Sequence, residues 1–215
     1  MRVAPEGLPF IAGGLGILAL LLALAAWLGG AWLWPALCWL PVALWVPWFF
    51  RDPERSGPRG ELLVVAPADG KVVSVVEVEE PEFLRGPAIR VSVFMNVFNV
   101  HVNRHPVDGT VEYRNYRAGK FVNATLEKAS EDNEQMSVGI QSSRGALMVR
   151  QIAGLVARRI VTDPQVGDAV RQGERLGLIR FGSRVDTFVP PGTRVTVQPG
   201  DRTTAGATVL AEWPS

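Results

Sequence analysis

Residues 7–50 contain no Asp, Glu, Lys, Arg or His. That run is roughly twice the ~20 apolar residues a helix needs to cross a bilayer. In hydrocarbon every backbone N–H and C=O must be bonded internally, so a spanning segment of this kind folds as helix. The run divides near Gly29-Gly30 into residues 8–28 and 31–50, which predicts a helical hairpin that crosses and returns. A cleaved secretory leader would have an apolar core of only about 7–15 residues followed by small residues. Here the run continues into Trp-rich sequence instead. Trp27, Trp32, Trp34, Trp39, Trp45 and Trp48 cluster toward the ends and the turn, as at membrane interfaces. Pro35 and Pro41 weaken the second span and predict a kink or a re-entrant course. Arg2 flanks one end, and Arg51 and Arg55 the other. Basic flanks on both sides suit a hairpin in the cell membrane with both ends, and the rest of the chain, in the cytoplasm.

Beyond the run the chain changes character. Residues 51–60, Arg-Asp-Pro-Glu-Arg-Ser-Gly-Pro-Arg-Gly, form a polar linker rich in breakers. A β pattern follows. Residues 61–65 and 71–79 are Val-rich and are split by the turn signal Pro67-Ala68-Asp69-Gly70. Residues 89–100 read as a long apolar strand, 109–116 as an alternating one, and 146–152 as another. Residues 119–133 are polar and read as a long functional loop, and 155–161 fit either strand or short helix. Residues 166–177 carry a glycine at each bend and resemble the hairpin of lipoyl- and biotinyl-type sandwiches. A strand over 176–181 follows, with short strands at 194–198 and 208–213. The predicted class is mainly β: a compact sandwich or open barrel with a biotinyl/lipoyl-like hairpin, preceded by the transmembrane hairpin.

Charge narrows the function. Lys and Arg total 22 against 21 Asp and Glu, a net charge of +1, so nothing suggests nucleic-acid binding. The single cysteine, Cys38, lies in the apolar run, which leaves no disulfide framework and no Cys-based metal site. The two histidines, His101 and His105, follow a long apolar strand and precede Pro106 and Gly109, which places them at a strand end or loop. Such positions commonly carry chemistry on a rigid scaffold. Their i,i+4 spacing would suit a helical metal pair, but Pro106 and the β context oppose it and no third ligand cluster is evident, so no metal is expected.

The remaining candidate is the peptide bond Gly182-Ser183. An unactivated serine is a poor nucleophile. Attack on the carbonyl of its own preceding residue needs a strained bond and a nearby base. Glycine permits unusual φ/ψ and leaves that carbonyl uncrowded. A histidine with a pKa near ~6.5 is a usable base. Taken alone, Gly182-Ser183 reads equally as a β-turn and Asp69 as an Asx turn.

Several stretches decide between those readings: Phe49-Phe50-Arg51-Asp52-Pro53, Ala66-Pro67-Ala68-Asp69-Gly70, Asn99-Val100-His101-Val102-Asn103-Arg104-His105-Pro106, Phe121-Val122-Asn123-Ala124, Asn133-Glu134, Gln151-Ile152-Ala153-Gly154 and Phe181-Gly182-Ser183-Arg184. Together they resemble the phosphatidylserine decarboxylases, in their short bacterial and archaeal-type form, from Phe49 through Asp186. One departure is Phe181-Gly182-Ser183-Arg184, where the longer form has Leu-Gly-Ser-Thr, a change the short form tolerates.

The resemblance implies a zymogen that cuts itself at Gly182-Ser183 into residues 1–182 and 183–215, a heterodimer of its own fragments. Ser183 becomes a covalent pyruvoyl group that forms a Schiff base with the substrate amine. His101 and Asp69 complete a processing triad with Ser183, and no role carries over to His105. The implied domains are a membrane anchor over 1–50 and a catalytic β-rich domain over 51–215. The implied reaction converts the membrane phospholipid phosphatidylserine to phosphatidylethanolamine. Oligomeric state is left open, a homo-oligomer included. Two rivals stand beside this reading. One is a decarboxylase of an archaeal-type ether lipid with a serine headgroup. The other is a non-enzymatic membrane-anchored biotinyl-like β module, which would need a carrier lysine where the hairpin tip has Arg171-Gln172-Gly173.

Overall fold

The computed structural model describes residues 2–119, 133–154, 159–180 and 182–214. The chain divides into two compact units, Met1–Glu54 and Arg55–Ser215. Among the sequence expectations, the motif at Phe121–Ala124, most of the polar loop 119–133, residues 155–158 and Phe181 lie outside the described residues.

The first unit is a helical hairpin. Helix α1 (Leu8–Leu28) and helix α2 (Leu33–Phe49) each follow a single 3-10 turn, Pro5–Gly7 and Gly30–Trp32. Gly29 at φ +106° makes the break between them, a conformation other residues reach only with strain. The helices pack through small residues, Gly14 against Ala43, and the Trp39 indole N–H donates to the Gly14 carbonyl at 2.9 Å. The two ends of the unit are clasped: Ala4 N–H donates to Phe50 O and Asp52 N–H to Arg2 O, both at 2.8 Å. The second apolar segment is one continuous helix, α2, from Leu33 to Phe49. Pro35 sits in its first turn, where a missing N–H costs no bond. Pro41 and Pro47 lie within it, as transmembrane helices tolerate. Both helices are long and apolar enough to cross a bilayer, and most of their apolar surface is exposed, with Trp27 at 82% and Trp34 at 73%.

The second unit is antiparallel β. Its strands are β1 (Leu63–Val65), β2 (Gly70–Glu80), β3 (Gly86–Met95), β4 (Val102–Arg104), β5 (Gly109–Arg117), β6 (Gln135–Gln141), β7 (Ala146–Ala153), β8 (Ile160–Thr162), β9 (Ala169–Val170), β10 (Arg175–Ile179), β11 (Ser183–Val189), β12 (Arg194–Val195), β13 (Arg202–Thr203) and β14 (Val209–Glu212). Eight form one curled sheet in the order β13-β2-β3-β11-β7-β6-β5-β9; β1-β14-β12 and β4-β10-β8 form two small sheets. Register shifts in β2 and β5 curl the large sheet, as bulges do. Its concave face buries Val72, Val93, Val138, Val149 and Val185 against Leu176 and Ile179 of β10. Burial of each such side chain favours the fold by ~1.5–3 kcal/mol. The two Asp-Gly pairs have a shared cause. A Cβ at Gly70 would collide with the Phe94 carbonyl oxygen, and one at Gly109 with that of Gln141.

Three departures from the sequence reading bear on the site. The apolar run 89–100 is not one strand, because Asn96 and Asn99 close a turn: Asn99 Oδ1 accepts from Asn96 N–H at 2.9 Å and Asn96 Oδ1 from Phe98 N–H at 2.9 Å. The lipoyl-like segment turns where expected, with Glu174 N–H bonded to Arg171 O at 3.0 Å. Its arms, however, serve different sheets: β9 pairs with β5, and β10 lies between β4 and β8. Finally, Ser183 opens the central strand β11 rather than sitting in a turn.

Candidate active site

The site is assembled where three segments converge. The Asn96–Asn99 turn leads into His101 and then into β4. Val102 and Asn103 of β4 pair with Leu178 and Gly177 of β10, and Ile179 N–H donates to His101 O at 3.3 Å. The chain leaving β10 then reaches Gly182 and enters β11. Main-chain pairing therefore delivers His101 and Gly182 to one place, although 81 residues separate them.

The His101 ring is fully buried and its tautomer follows from its neighbours. Gly182 N–H donates to Nε2 at 3.3 Å, so Nε2 carries a lone pair; Nδ1, 3.1 Å from the Asn99 carbonyl oxygen, carries the hydrogen. The ring thus presents its basic nitrogen beside the Gly182-Ser183 segment. Gly182 stands at φ +66°, a left-handed conformation, with open space where a Cβ would be. Ser183 is fully buried, paired with Met95 of β3 and Ala153 of β7. Its hydroxyl donates to the Met95 thioether sulfur at 3.4 Å. Thioether sulfur is a weak acceptor, so the hydroxyl turns away at little cost. In the uncut chain Nε2 is engaged with the Gly182 amide and the Ser183 oxygen with Met95.

Asp69 is placed differently from the sequence expectation. Its carboxylate accepts from Arg55 Nη2 at 2.7 Å and from Ala205 N–H at 2.8 Å. Neither bond reaches His101, whose Nδ1–H is held by a backbone carbonyl instead. The physical reason is local. Asp69 precedes the Gly70 crossing, where the guanidinium of Arg55 and the turn amide at Ala205 satisfy it. His105 lies apart, lining an open concavity of about 320 Å³ with Asp163, Asp168, Glu174 and Arg175. It is 3% exposed, its Nδ1 has no hydrogen-bond partner among the described residues, and burial lowers its pKa to about 4. Among the described residues no group of His, Cys, Asp and Glu could hold a metal ion.

Two features escaped the sequence reading. A buried polar chain backs Met95. Asn103 Nδ2 donates to its sulfur at 3.6 Å, Gln151 Nε2 to Asn103 Oδ1 at 2.8 Å, and Thr162 Oγ1 to Gln151 Oε1 at 2.7 Å. Asn103 and Gln151 stand in stretches already singled out, but only the fold shows that they meet. The second is a buried ion pair on β11, Arg184 with Asp186, bidentate at 2.6 and 2.8 Å on the sheet face opposite Ser183. A period of two along 183–186 would have flagged it only once the strand was recognised.

A buried serine after a left-handed glycine, with a histidine lone pair beside them, defines a site for acyl or carbonyl chemistry, in a chain that also carries a hydrophobic helical hairpin. A family model described as "Phosphatidylserine decarboxylase" matches residues 42–211. The chain is 49% identical to the phosphatidylserine decarboxylase proenzyme of Symbiobacterium thermophilum over 99% of this chain and 96% of the relative. It is 48% identical to the proenzyme of the same name from Nitrobacter winogradskyi, over 98% of this chain and 84% of that protein. The proenzyme of Azorhizobium caulinodans is also 48% identical, over 97% of this chain and 88% of its own length. The chain belongs to the phosphatidylserine decarboxylase family. It is a carboxy-lyase, an enzyme that removes carbon dioxide from the serine headgroup of the phospholipid.

Proposed function

We propose that the chain matures by cutting itself at Gly182-Ser183 and then decarboxylates phosphatidylserine to phosphatidylethanolamine through a pyruvoyl group made from Ser183. The observation that carries this reading is the Gly182 N–H···Nε2 contact of His101 at 3.3 Å, which sets a buried base beside a left-handed glycine and a weakly held serine. The Ser183 hydroxyl turns from Met95 and adds to the Gly182 carbonyl carbon while His101 Nε2 takes its proton. The C–N bond of the peptide breaks, nitrogen takes up a proton, and an ester joins the fragments. Loss of the Ser183 α-proton then expels the Gly182 carboxylate and leaves dehydroalanine. Its imine tautomer reacts with water to give a ketone and ammonia. Residue 183 fits the group: among the described residues its hydroxyl meets the Met95 thioether, which the neutral Asn103 amide backs. The pyruvoyl ketone supplies an electron sink for the pair released with carbon dioxide. His101, held in one tautomer, moves protons at Nε2. Asp69 acts as a positioning residue through Arg55 and the Ala205 turn.

We place the helical hairpin in the cell membrane with the β unit on the cytoplasmic side. Arg2 before α1 and Arg51 and Arg55 after α2 support that orientation. A two-tailed lipid stays in the bilayer, so an anchored enzyme meets it at high effective concentration. The test is the intact mass of protein purified from expressing cells. Two pieces, one ending at Gly182 and one beginning at a modified residue 183, are expected. Ser183→Ala should give one uncut, inactive chain. A full-length unmodified chain as the active species would overturn the reading.

A further inference from the structure

A second concavity, of about 280 Å³, lies beside the site and is lined by Gly70, Lys71, Phe94, Asn96, Asn99 and Arg202. We infer that it binds the phosphodiester of the substrate's serine headgroup, with Lys71 and Arg202 as its cations and the Asn96 and Asn99 amides as further donors. The inference rests on the decarboxylase reading above and names the part of the substrate that this pocket holds.

The first support is charge. Lys71 and Arg202 are direct cross-strand partners in β2 and β13. Directly opposed side chains share a face and stand close, so two cations there repel. Among the described residues neither has a carboxylate partner, since the adjacent acids are engaged elsewhere. Asp69 holds Arg55 and the Ala205 amide, and Asp201 accepts from Gln198 N–H at 2.9 Å. An anion between the two cations removes the repulsion, and a concave wall concentrates their field.

The second support is hydrogen-bond polarity. Asn96 and Asn99 each spend their side-chain oxygen on a backbone N–H of their own turn. That fixes the amide orientation and leaves each Nδ2 as a donor. Side chains around the concavity therefore offer an ammonium, a guanidinium and two amide NH2 groups, a donor set suited to phosphate oxygens.

The third support is position. The Asn99 carbonyl oxygen accepts from the His101 ring at Nδ1, so the pocket and the base share a residue. Lys71 pairs with Phe94, and Phe94 with Arg184. These three side chains share the sheet face opposite the Ser183 side chain, so the pocket meets residue 183 around the strand ends, where Gly70, Asn96 and Gly182 lie, rather than across the sheet. In the substrate only two carbons and one oxygen lie between amine and phosphorus. A phosphate held here would leave the amine free to reach residue 183.

The test compares the full chain with Lys71→Gln/Arg202→Gln in micelles of neutral detergent, where bulk surface charge is absent. The double variant should cut itself normally by intact mass. Its KM for phosphatidylserine should rise ~10- to 100-fold, the range for losing charge-assisted contacts, with a smaller change in kcat. Glycerophosphoserine should inhibit the wild-type enzyme and lose potency in the variant by the same factor, while Lys71→Arg should retain most of it. An unchanged KM, with reduced binding only to phosphatidylglycerol vesicles, would overturn the inference and assign the two cations to the membrane surface. Inorganic phosphate competing as well as glycerophosphoserine, and only in the wild type, would overturn the headgroup assignment in favour of a free anion. Binding of glycerophosphoserine to the uncut Ser183→Ala chain, lost on adding Lys71→Gln/Arg202→Gln, reads the pocket separately from self-cleavage. Failure of maturation and failure of the pocket are therefore distinguishable.

Discussion

The Arg184–Asp186 pair gives the sharpest energetic test of how the reacting segment is held. Both side chains are almost fully buried, at 2% and 0% exposure, and bonded through two parallel contacts. They lie on β11, which pairs with β3 on one side and β7 on the other. Removing one partner takes this two-bond contact from the other buried charge, and breaking a buried pair in that way costs ~3–5 kcal/mol. Replacing both by apolar residues of similar volume avoids that penalty and is often neutral. For a unit of this size each kcal/mol lowers Tm by roughly 2–4 °C. Asp186→Asn should therefore lower Tm by roughly 6–20 °C, whereas Arg184→Met/Asp186→Leu should recover most of that loss. The assay is thermal unfolding of the full chain in detergent by circular dichroism, with Ser183→Ala in every sample so that all are uncut. A double variant as unstable as the single would refute the reasoning, because the loss would then stem from packing rather than stranded charge.

Two further outcomes follow from the histidines. In a time course of chain cutting, His101→Ala should slow the reaction by about 10²–10⁴, Asp69→Asn should slow it less, and His105→Ala should leave it near normal; a block in His105→Ala with normal cutting in His101→Ala would reverse the assignment. His105 should also set acid sensitivity. Its folded pKa of about 4 lies below the ordinary 6.5, so the unfolded chain takes up the proton first. Stability is whole above pH 6.5, falls between 6.5 and 4 by up to about 3 kcal/mol, and levels below. Denaturant midpoints at several pH values should show a shallower acid loss for His105→Gln than for wild type, and parallel curves would refute this.

The sequence shows the helical hairpin almost to the residue because hydrocarbon imposes one demand on every position, and residues 7–50 meet it without exception. The strands at 70–80, 109–117 and 146–153 are visible for a related reason: their alternation or their β-branched runs are dominated by burial. Strand β11 is hidden. Ser-Arg-Val-Asp-Thr-Phe-Val has a charged residue at alternate positions, which reads as a solvated edge. The fold buries both charges by pairing them with each other. Asn96 and Asn99 are hidden differently, since a strand and a turn lie within one apolar run and only the two side-chain oxygens decide where the strand stops. In the site, Ser183, His101 and Gly182 stand out in the sequence only through the family resemblance, since a glycine-serine pair alone is most often a turn; the fold brings Gly182 N–H to His101 Nε2. The placement of Asp69 is not legible, since an aspartate before a glycine can hold an imidazole, a guanidinium or a turn amide with equal chemical sense. Tertiary proximity of Arg55 and Ala205 selects among them. Lys71 and Arg202 were equally unreadable, because a cross-strand pair between residues so far apart in sequence exists only once β13 has found β2.

The topology also bears on what a cut at residue 182 would do. A break ahead of an edge strand would free that strand to leave. Here it would fall ahead of β11, at the centre of the large sheet, bonded to β3 and β7 along almost its whole length. The same C-terminal piece contributes β13 to the edge of that sheet beside β2, and β12 and β14 to the small sheet with β1. Val185, Val189, Leu210 and Trp213 are buried in the common core. Dissociation would expose those side chains and break ladders on both sides of β11 at once, at a cost comparable with unfolding the unit. The new chain end would therefore stay where the register puts it, with residue 183 opposite Met95 and Ala153. The freedom that cutting introduces falls on the other new chain end, at Gly182. That division suits the chemistry: the reacting residue needs a fixed position against His101 and the pocket of Lys71 and Arg202, while the departing carboxylate at Gly182 needs room to move away and admit a lipid headgroup.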